Sequence, residues 1–250
     1  MTSPFRTDCL AGKVALVTGG TRGIGASISQ LLKSNDYNVI ANYNSNDQAA
    51  LEFKEKNGID VMKCDVSNYD SCKEMVEKIK SEYGSIEILI NNAGITKDAP
   101  LHKMQKEAWE QVINVNLNSI FNLTSNVINE MRNNGFGRII HISSVNGQKG
   151  QFGQTNYAAT KSALIGFSKS LALESASKGI TSNVIAPGYI NTEMVAAIRE
   201  DILNKIVDTI PTKRLGKSEE IAEMVLYLVS NKASYINGAT LSINGGLWMD

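Results

Sequence analysis

The sequence predicts an α/β domain: a doubly wound parallel sheet of about seven strands with helices on both faces. Three observations carry this expectation. Seven short apolar runs recur from end to end, the segments between them have helical periodicity, and no proline-rich or low-complexity linker divides the chain. At 250 residues with 42% apolar side chains, one such domain has ample material for a continuous core. The chain is therefore read as a single unit, 1–250, with 1–12 as an N-terminal extension.

The strands are expected at 14–18, 39–42, 61–63, 86–91, 138–143, 182–186 and 239–243, each a short apolar run suited to burial on both faces. After the first, Ile24, Ile28, Leu31 and Leu32 fall at i, i+4, i+7 and i+8 on one helix face. Segments near 47–57 and 70–83 place charges opposite their apolar stripes, and long helices are expected at 107–132 and 157–178. In the last of these, Ala158, Leu164, Ile165, Phe167, Leu171 and Leu173 spread apolar surface over more of the helix than a sheet-facing stripe of about 100° needs. Either a partner subunit or neighbouring helices would cover the surplus.

Composition excludes several classes. With 25 basic and 25 acidic side chains interspersed, there is no excess to attract DNA or RNA. Cys9, Cys64 and Cys72 form neither an even-numbered disulfide framework nor a CxxC site, which fits reduced thiols in a cytoplasmic protein. The N-terminus lacks the apolar core of a signal peptide, and the longest uncharged stretch, 111–129, contains six asparagines, so no membrane span is expected. Only His102 and His141 are present, which rules out a histidine-rich metal site, and His141 reads as a satisfied strand residue.

The first strand runs directly into Thr18-Gly19-Gly20-Thr21-Arg22-Gly23-Ile24-Gly25 and then a helix. In this context the glycines acquire distinct uses: a tight turn, close approach of backbone to a pyrophosphate, and close helix-to-strand packing, roles that Gly19, Gly23 and Gly25 can fill. The free N–H groups at the helix start would face the diphosphate. Further along, Tyr157 and Lys161 lie four residues apart, on one face of a helix. Two charges about 4 Å apart in an effective dielectric near 20 interact by roughly 4 kcal/mol, so the lysine is expected to bring the tyrosine toward neutrality as a general acid. Ser144 precedes Tyr157 by thirteen residues, at a strand end.

Together, Thr18-Gly-x-x-x-Gly-x-Gly25, Asn91-Asn-Ala-Gly94, Tyr157-x-x-x-Lys161 and Pro187-Gly188 resemble the short-chain dehydrogenase/reductase family, in its order and over almost the whole chain. The resemblance implies a Rossmann-type fold and a nicotinamide cofactor held by Gly19, Thr21, Arg22, Gly23, Ile24 and Gly25, with Asp65 on the adenine amino group beside Val66. Asn91, Asn92, Ala93 and Gly94 would frame the adenosine, Tyr157 and Lys161 the nicotinamide ribose, and Pro187, Gly188, Ile190 and Thr192 the carboxamide. Read alone, Asp65 is a turn residue and Thr192 a helix N-cap. The family's catalytic set falls on Asn116, Ser144, Tyr157 and Lys161, with Ser144 rather than Ser143 selected by the thirteen-residue spacing and Asn116 completing a water relay to Lys161. Five other asparagines share the stretch with Asn116.

The second strand ends Ile40-Ala41-Asn42-Tyr43-Asn44-Ser45, without the carboxylate that holds an unphosphorylated ribose. With Arg22 able to reach a 2′-phosphate, NADPH/NADP+ is favoured, although Asn44 stands where many NADP-preferring relatives carry a second base. The segment 143–157, Pro187-Gly-Tyr-Ile190 and Asn244-Gly-Gly-Leu247 resemble the members that reduce a short 3-oxoacyl-CoA to the (R)-3-hydroxyacyl-CoA, a precursor of polyhydroxybutyrate. By that resemblance Gln151, Phe152, Gln154 and Tyr189 line the acyl-thioester pocket, and the chain assembles as a homotetramer through its two long helices. Reduction of 3-oxoacyl groups on acyl-carrier protein is the alternative, since it uses the same catalytic residues. A cofactor-sensing scaffold without turnover is a third reading, one that usually loses the tyrosine or lysine.

Overall fold

A computed structural model of the chain describes residues 12–196 and 199–249; the extension before Gly12, including Cys9, lies outside them. Seven parallel strands form one sheet in the order β3-β2-β1-β4-β5-β6-β7. They are β1 (Val14–Val17), β2 (Asn38–Tyr43), β3 (Asp60–Lys63), β4 (Ile86–Asn91), β5 (Gly137–Ile142), β6 (Ile180–Pro187) and β7 (Thr240–Ile243). Each expected run is a strand. The sixth is longer than its apolar stretch suggests, because Gly179 turns the chain at φ +72° and Ile180 pairs at once with Gly137.

Ten helices are described: α1 (Gly23–Ser34), α2 (Asp47–Asn57), α3 (Tyr69–Tyr83), α4 (Lys106–Ile113), α5 (Ser119–Asn134), α6 (Val145–Lys149), α7 (Thr155–Ser175), α8 (Glu193–Ala196), α9 (Glu200–Thr209) and α10 (Ser218–Val229). Alternation along the strands sends side chains into two cores. Ala15, Val17, Ile88 and Ile90 meet Ile28 and Leu32 of α1, Phe53 of α2 and Ile221 and Val225 of α10. Val14, Leu16, Ile86 and Leu89 face Met75 and Ile79 of α3, Leu123 and Met131 of α5 and Leu171 of α7. A register shift opposite Val14 and Ala15 lets Ile86 and Ile88 point to opposite faces although they are two residues apart. No helix among the described residues is long and apolar enough to cross a membrane.

The long helix expected over 107–132 is present and continuous, with one local irregularity: between α4, which ends at Ile113, and α5, which begins at Ser119, Asn114–Asn118 widens into a π-turn. The buried amide of Asn116 in that turn accepts from the Ile95 N–H at 2.8 Å and donates to the Ile95 carbonyl at 2.9 Å. A side chain committed to a neighbouring loop marks the inserted residue, as π-turns at functional positions commonly do. The other long helix, expected over 157–178, is α7 followed by a short 3-10 turn.

Candidate active site

The strand order reverses between β1 and β4, both of which pair with their outer neighbours, so a crevice opens at their carboxyl ends. Thr18 closes its floor. Its N–H donates to the Ile90 carbonyl at 3.0 Å, while its hydroxyl oxygen accepts from the N–H groups of Asn92 and Ala93, each at 2.9 Å. The Asn92 amide returns a bond to the Thr18 carbonyl at 2.8 Å, and the Gly20 N–H reaches the Asn42 carbonyl of β2 at 2.9 Å. The glycine turn is thereby fastened to the ends of three strands.

Space explains two of its glycines. A Cβ on Gly25 would lie 2.1 Å from the Gly19 carbonyl oxygen, so α1 packs on the turn only with hydrogen there. A Cβ on Gly20, which the motif leaves variable, would lie 2.7 Å from the Val17 carbonyl oxygen. No side chain caps the start of α1, where Arg22 is the exposed N-cap residue, so the first-turn N–H groups are open to an anion. Thr192 lies across the crevice, its methyl 3.6 Å from where a Gly23 Cβ would stand. These features fit a dinucleotide diphosphate, with Pro187 at the end of β6 and Gly188 and Ile190 on the loop that leads to Thr192.

Around the expected adenosine end, Val66 is buried and Asp65 exposed; the Asp65 carboxylate accepts from the Ser67 N–H at 2.9 Å and hydroxyl at 2.7 Å, a turn arrangement. Asn44 is exposed at the end of β2. The structure adds a carboxylate that strand-end reading missed, because Asp47 belongs to the next helix. Asp47 bonds Lys63 Nζ at 2.9 Å and also Tyr43, and these partners, Lys63 foremost, hold its carboxyl below the usual range. Its charge is thus matched by a cation from β3.

At the other end of the crevice, adjacent serines part ways. Ser143 is buried and donates to the Lys161 carbonyl at 2.7 Å. Ser144 caps α6 by accepting from the Asn146 N–H at 3.1 Å, and its side chain is near enough to Tyr157 to pull that phenol's value down. Of the two serines it is therefore the one thirteen residues before Tyr157 that lies near it. Lys161, 4% exposed, donates from Nζ to the Ile142 carbonyl at 2.7 Å and lies 5.7 Å from the Tyr157 ring centroid. Gly94 joins the set: a Cβ there would stand 3.4 Å from both Lys161 Nζ and Asn116 Oδ1, so those two atoms converge beside it. Asn116 itself bonds Ile95 and Thr160.

The expected lowering of the tyrosine is not found. Burial pushes Tyr157 up to about 12, with nearby Ser144 pulling down and the charge of Asp98 pushing up. Burial also brings Lys161 down to about 8. The reason is geometric: the ammonium is spent on the Ile142 carbonyl, and a dry crevice opposes both charged forms. Tyr157 is accordingly a full proton donor through the neutral range. His141 is fully buried, with ring nitrogens on Asn91 and Ser182 at 3.2 Å each, and burial holds it neutral at about 3, the structural role expected of it.

Of the expected pocket residues, Gln151 is exposed and accepts from Lys149 Nζ at 3.2 Å, and Phe152 is 85% exposed, so neither walls an enclosed cavity. Gln154 has protein partners at both ends of its amide: it donates to Asp98 at 2.8 Å and accepts from Asn146 at 3.0 Å. Burial raises Tyr189 above the ordinary tyrosine value, with the nearby Asn146 side chain pulling the other way. Asp98 and Asn146 were not legible as site residues, since each is one polar residue in a polar segment and only the folded loops bring them together.

The sequence profile described as enoyl-(acyl carrier protein) reductase matches residues 19–248. The chain is 55% identical over 235 residues to the acetoacetyl-CoA reductase of Shinella zoogloeoides, covering 94% of this chain and 98% of the relative. It is 49% identical over 242 residues to the acetoacetyl-CoA reductase of Cupriavidus necator, covering 95% and 98%. A 3-oxoacyl-[acyl-carrier-protein] reductase of Escherichia coli K12 is 46% identical over 240 residues, covering 95% and 98%.

Burying Lys161 has a measurable cost. A base whose folded value of about 8 lies below its ordinary 10.5 penalises folding at neutral pH, and the penalty recedes as pH climbs from about 8 to 10.5. The penalty amounts to about 3 kcal/mol, against about 2 kcal/mol for the charge-assisted bond to Ile142. Lys161→Met is expected to be about 1 kcal/mol more stable than wild type in urea at pH 7. The gain should shrink above pH 8; equal or lower stability at pH 7 would refute this account.

Proposed function

Because the chain belongs to the short-chain dehydrogenase/reductase family, we propose that this oxidoreductase reduces acetoacetyl-CoA to the (R)-3-hydroxyacyl-CoA with NADPH, in the cytoplasm. The observation that carries the reading is Tyr157 with its ring centroid 5.7 Å from the buried Lys161 ammonium and with Ser144 near it, in the same crevice as the glycine turn. The cofactor, when bound, supplies a hydride to the carbonyl carbon. The chain's residues manage the oxygen. Ser144 accepts from Asn146, which leaves its own proton to donate to that oxygen as negative charge grows. Tyr157, protonated at neutral pH, hands over its proton. The phenolate left behind is stabilised by the Lys161 ammonium, by about 3 kcal/mol for charges about 6 Å apart at an effective dielectric near 20.

For the cofactor, Gly19, Thr21, Arg22, Gly23, Ile24 and Gly25 would hold the diphosphate, Asp65, Val66, Asn92, Ala93 and Gly94 the adenosine, and Pro187, Gly188, Ile190 and Thr192 the carboxamide. The preference for the 2′-phosphate rests on Arg22 and on the ion pairing that offsets Asp47. Reduction of 3-oxoacyl carrier protein is the second reading, favoured by the 46% identity to the Escherichia coli enzyme of that name. CoA is preferred because two relatives at 55% and 49% carry the CoA name, and because Asn133-Asn134-Gly135-Phe136, just before β5, offers an acidic carrier no base. The intact Ser144, Tyr157, Lys161 and Asn116 disfavour a scaffold without turnover. Assembly as a homotetramer is supported by apolar side chains left open on the long helices, Phe121 of α5 at 58% and Leu173 of α7 at 86% exposure.

Initial rates with NADPH are expected on acetoacetyl-CoA, with NADH at least tenfold poorer in kcat/KM; parity would overturn the cofactor preference. A carrier-protein thioester preferred over the CoA thioester would promote the second reading. Tyr157→Phe should lose at least about a thousandfold in kcat while NADPH quenches intrinsic fluorescence with nearly intact affinity. Retention of a tenth of wild-type kcat would discard Tyr157 as the acid. Light scattering should give about four times the chain mass of 27.2 kDa, and a monomer would end the assembly proposal.

A further inference from the structure

At the end of β2, beside the glycine turn, the charge is supplied from outside the strand itself. Asn42 is 2% exposed and its amide is spent inward. Its Nδ2 donates to the Cys64 carbonyl at 3.0 Å and the Met62 carbonyl at 3.3 Å, while its Oδ1 accepts from the Gly19 N–H at 3.4 Å. Tyr43 and Asn44, which follow, carry no charge at neutral pH. The same amide draws the end of β3 against the glycine turn, and the Cys64 N–H donates to the Tyr43 carbonyl at 2.9 Å. Lys63, the residue before Cys64, is therefore held beside the end of β2, in register with Tyr43.

A carboxylate meets it there from α2. The cap residue Asn46 accepts from the Ala49 N–H at 3.1 Å, which fixes where α2 begins and so where its first residue, Asp47, stands. Lys63 Nζ donates to Asp47 Oδ2 at 2.9 Å, with the two side chains 54% and 58% exposed. So exposed a pair contributes little to stability. Its charges nonetheless act on any anion within a Debye length, about 8 Å at physiological salt. With Lys63 in place they sum to zero. Without it, Asp47 would set a full negative charge at this edge, the sign that repels a phosphate monoester of about −1.5 to −2 and suits the hydroxyls of an unphosphorylated ribose.

We propose that Lys63 is a specificity-determining residue: by cancelling the charge of Asp47 it opens this edge of the site to the 2′-phosphate of NADPH. This rests on the NADPH reading and deepens it. The missing acid on β2 is not sufficient for the preference, because α2 supplies one, and the preference becomes conditional on a lysine of the edge strand β3. Arg22, in the glycine turn, remains the cation that faces the phosphate once Asp47 is neutralised. Lys63 acts through the sum of charges and not by gripping the cofactor, so its effect must cancel when Asp47 is removed with it.

Dissociation constants for NADPH and NADH, read by fluorescence titration of the full chain, test this without turnover. Lys63→Met is expected to weaken NADPH about 5- to 10-fold while NADH is unchanged or tighter, which also shows that the cofactor site is folded. Lys63→Arg should keep the wild-type ratio. Asp47→Asn should move NADPH the opposite way, about two- to fivefold tighter. The double variant, neutral again at this edge, should return to within about twofold of wild type. In about 1 M KCl, where the Debye length falls to about 3 Å, the loss in Lys63→Met should shrink below about twofold. A double variant as weak as Lys63→Met would mean that the lysine grips the phosphate itself. Unaltered NADPH affinity in Lys63→Met, equal losses of both cofactors, or a loss that persists in high salt would mean that the pair does not set the preference. Each of these overturns the proposal and leaves the NADPH reading to the wild-type ratio; a wild type that binds both cofactors alike overturns that reading and the proposal with it.

Discussion

The parallel pairing of β1 with β4 is the constraint on which the rest of the molecule depends. It reverses the direction in which strands are added, so the chain after β1 and the chain after β4 must both leave from the same end of the sheet and diverge. Thr18 makes that divergence rigid, because one hydroxyl serves the N–H groups of Asn92 and Ala93 while its backbone serves Ile90. The glycine turn, the π-turn asparagine and α7 are all positioned against this junction. Gly94, immediately beyond it, is where Asn116 and Lys161 converge.

Desolvation sets the chemistry of the crevice. Lys161 and Tyr157 are both moved toward their neutral forms, opposite to what a bare charge pair at helical spacing suggests. Coulomb attraction of a few kcal/mol requires both charges to exist, and burial withholds that condition until a substrate oxygen takes the tyrosine's proton. The lysine then has a phenolate to stabilise. In this arrangement the pair contributes to the transition state more than to the resting protein, which is where binding energy accelerates a reaction.

The polar groups around the pair divide by burial. His141 and Ser143 are completely enclosed and satisfied by strand neighbours or the Lys161 carbonyl, so they hold the sheet and α7 together. Ser144, one residue beyond β5's end partner Ser143, has only an N–H donor on its oxygen and keeps a proton to give. The rim differs again: Asp98 stays hydrated while the amides it orients reach inward. A charge kept in water can thus impose direction on a dry site without being desolvated itself.

By itself the sequence determined the sheet, the glycine turn and the identity of the serine, tyrosine and lysine, because those depend on local spacing: strand runs of period two or fully apolar, a helix face at i and i+4, glycines where a Cβ cannot fit. Tertiary structure decided what depends on neighbours distant in the chain. The π-turn at Asn114–Asn118 goes with Asn116 bonding Ile95, the balance of Asp47 with Lys63 on another strand, and the upward shift of Tyr157 with burial that no spacing encodes. The run of bonds from Asp98 through Gln154 to Asn146 joins side chains from separate loops and helix ends, so it exists only once the fold has brought donors and acceptors within about 3 Å of one another.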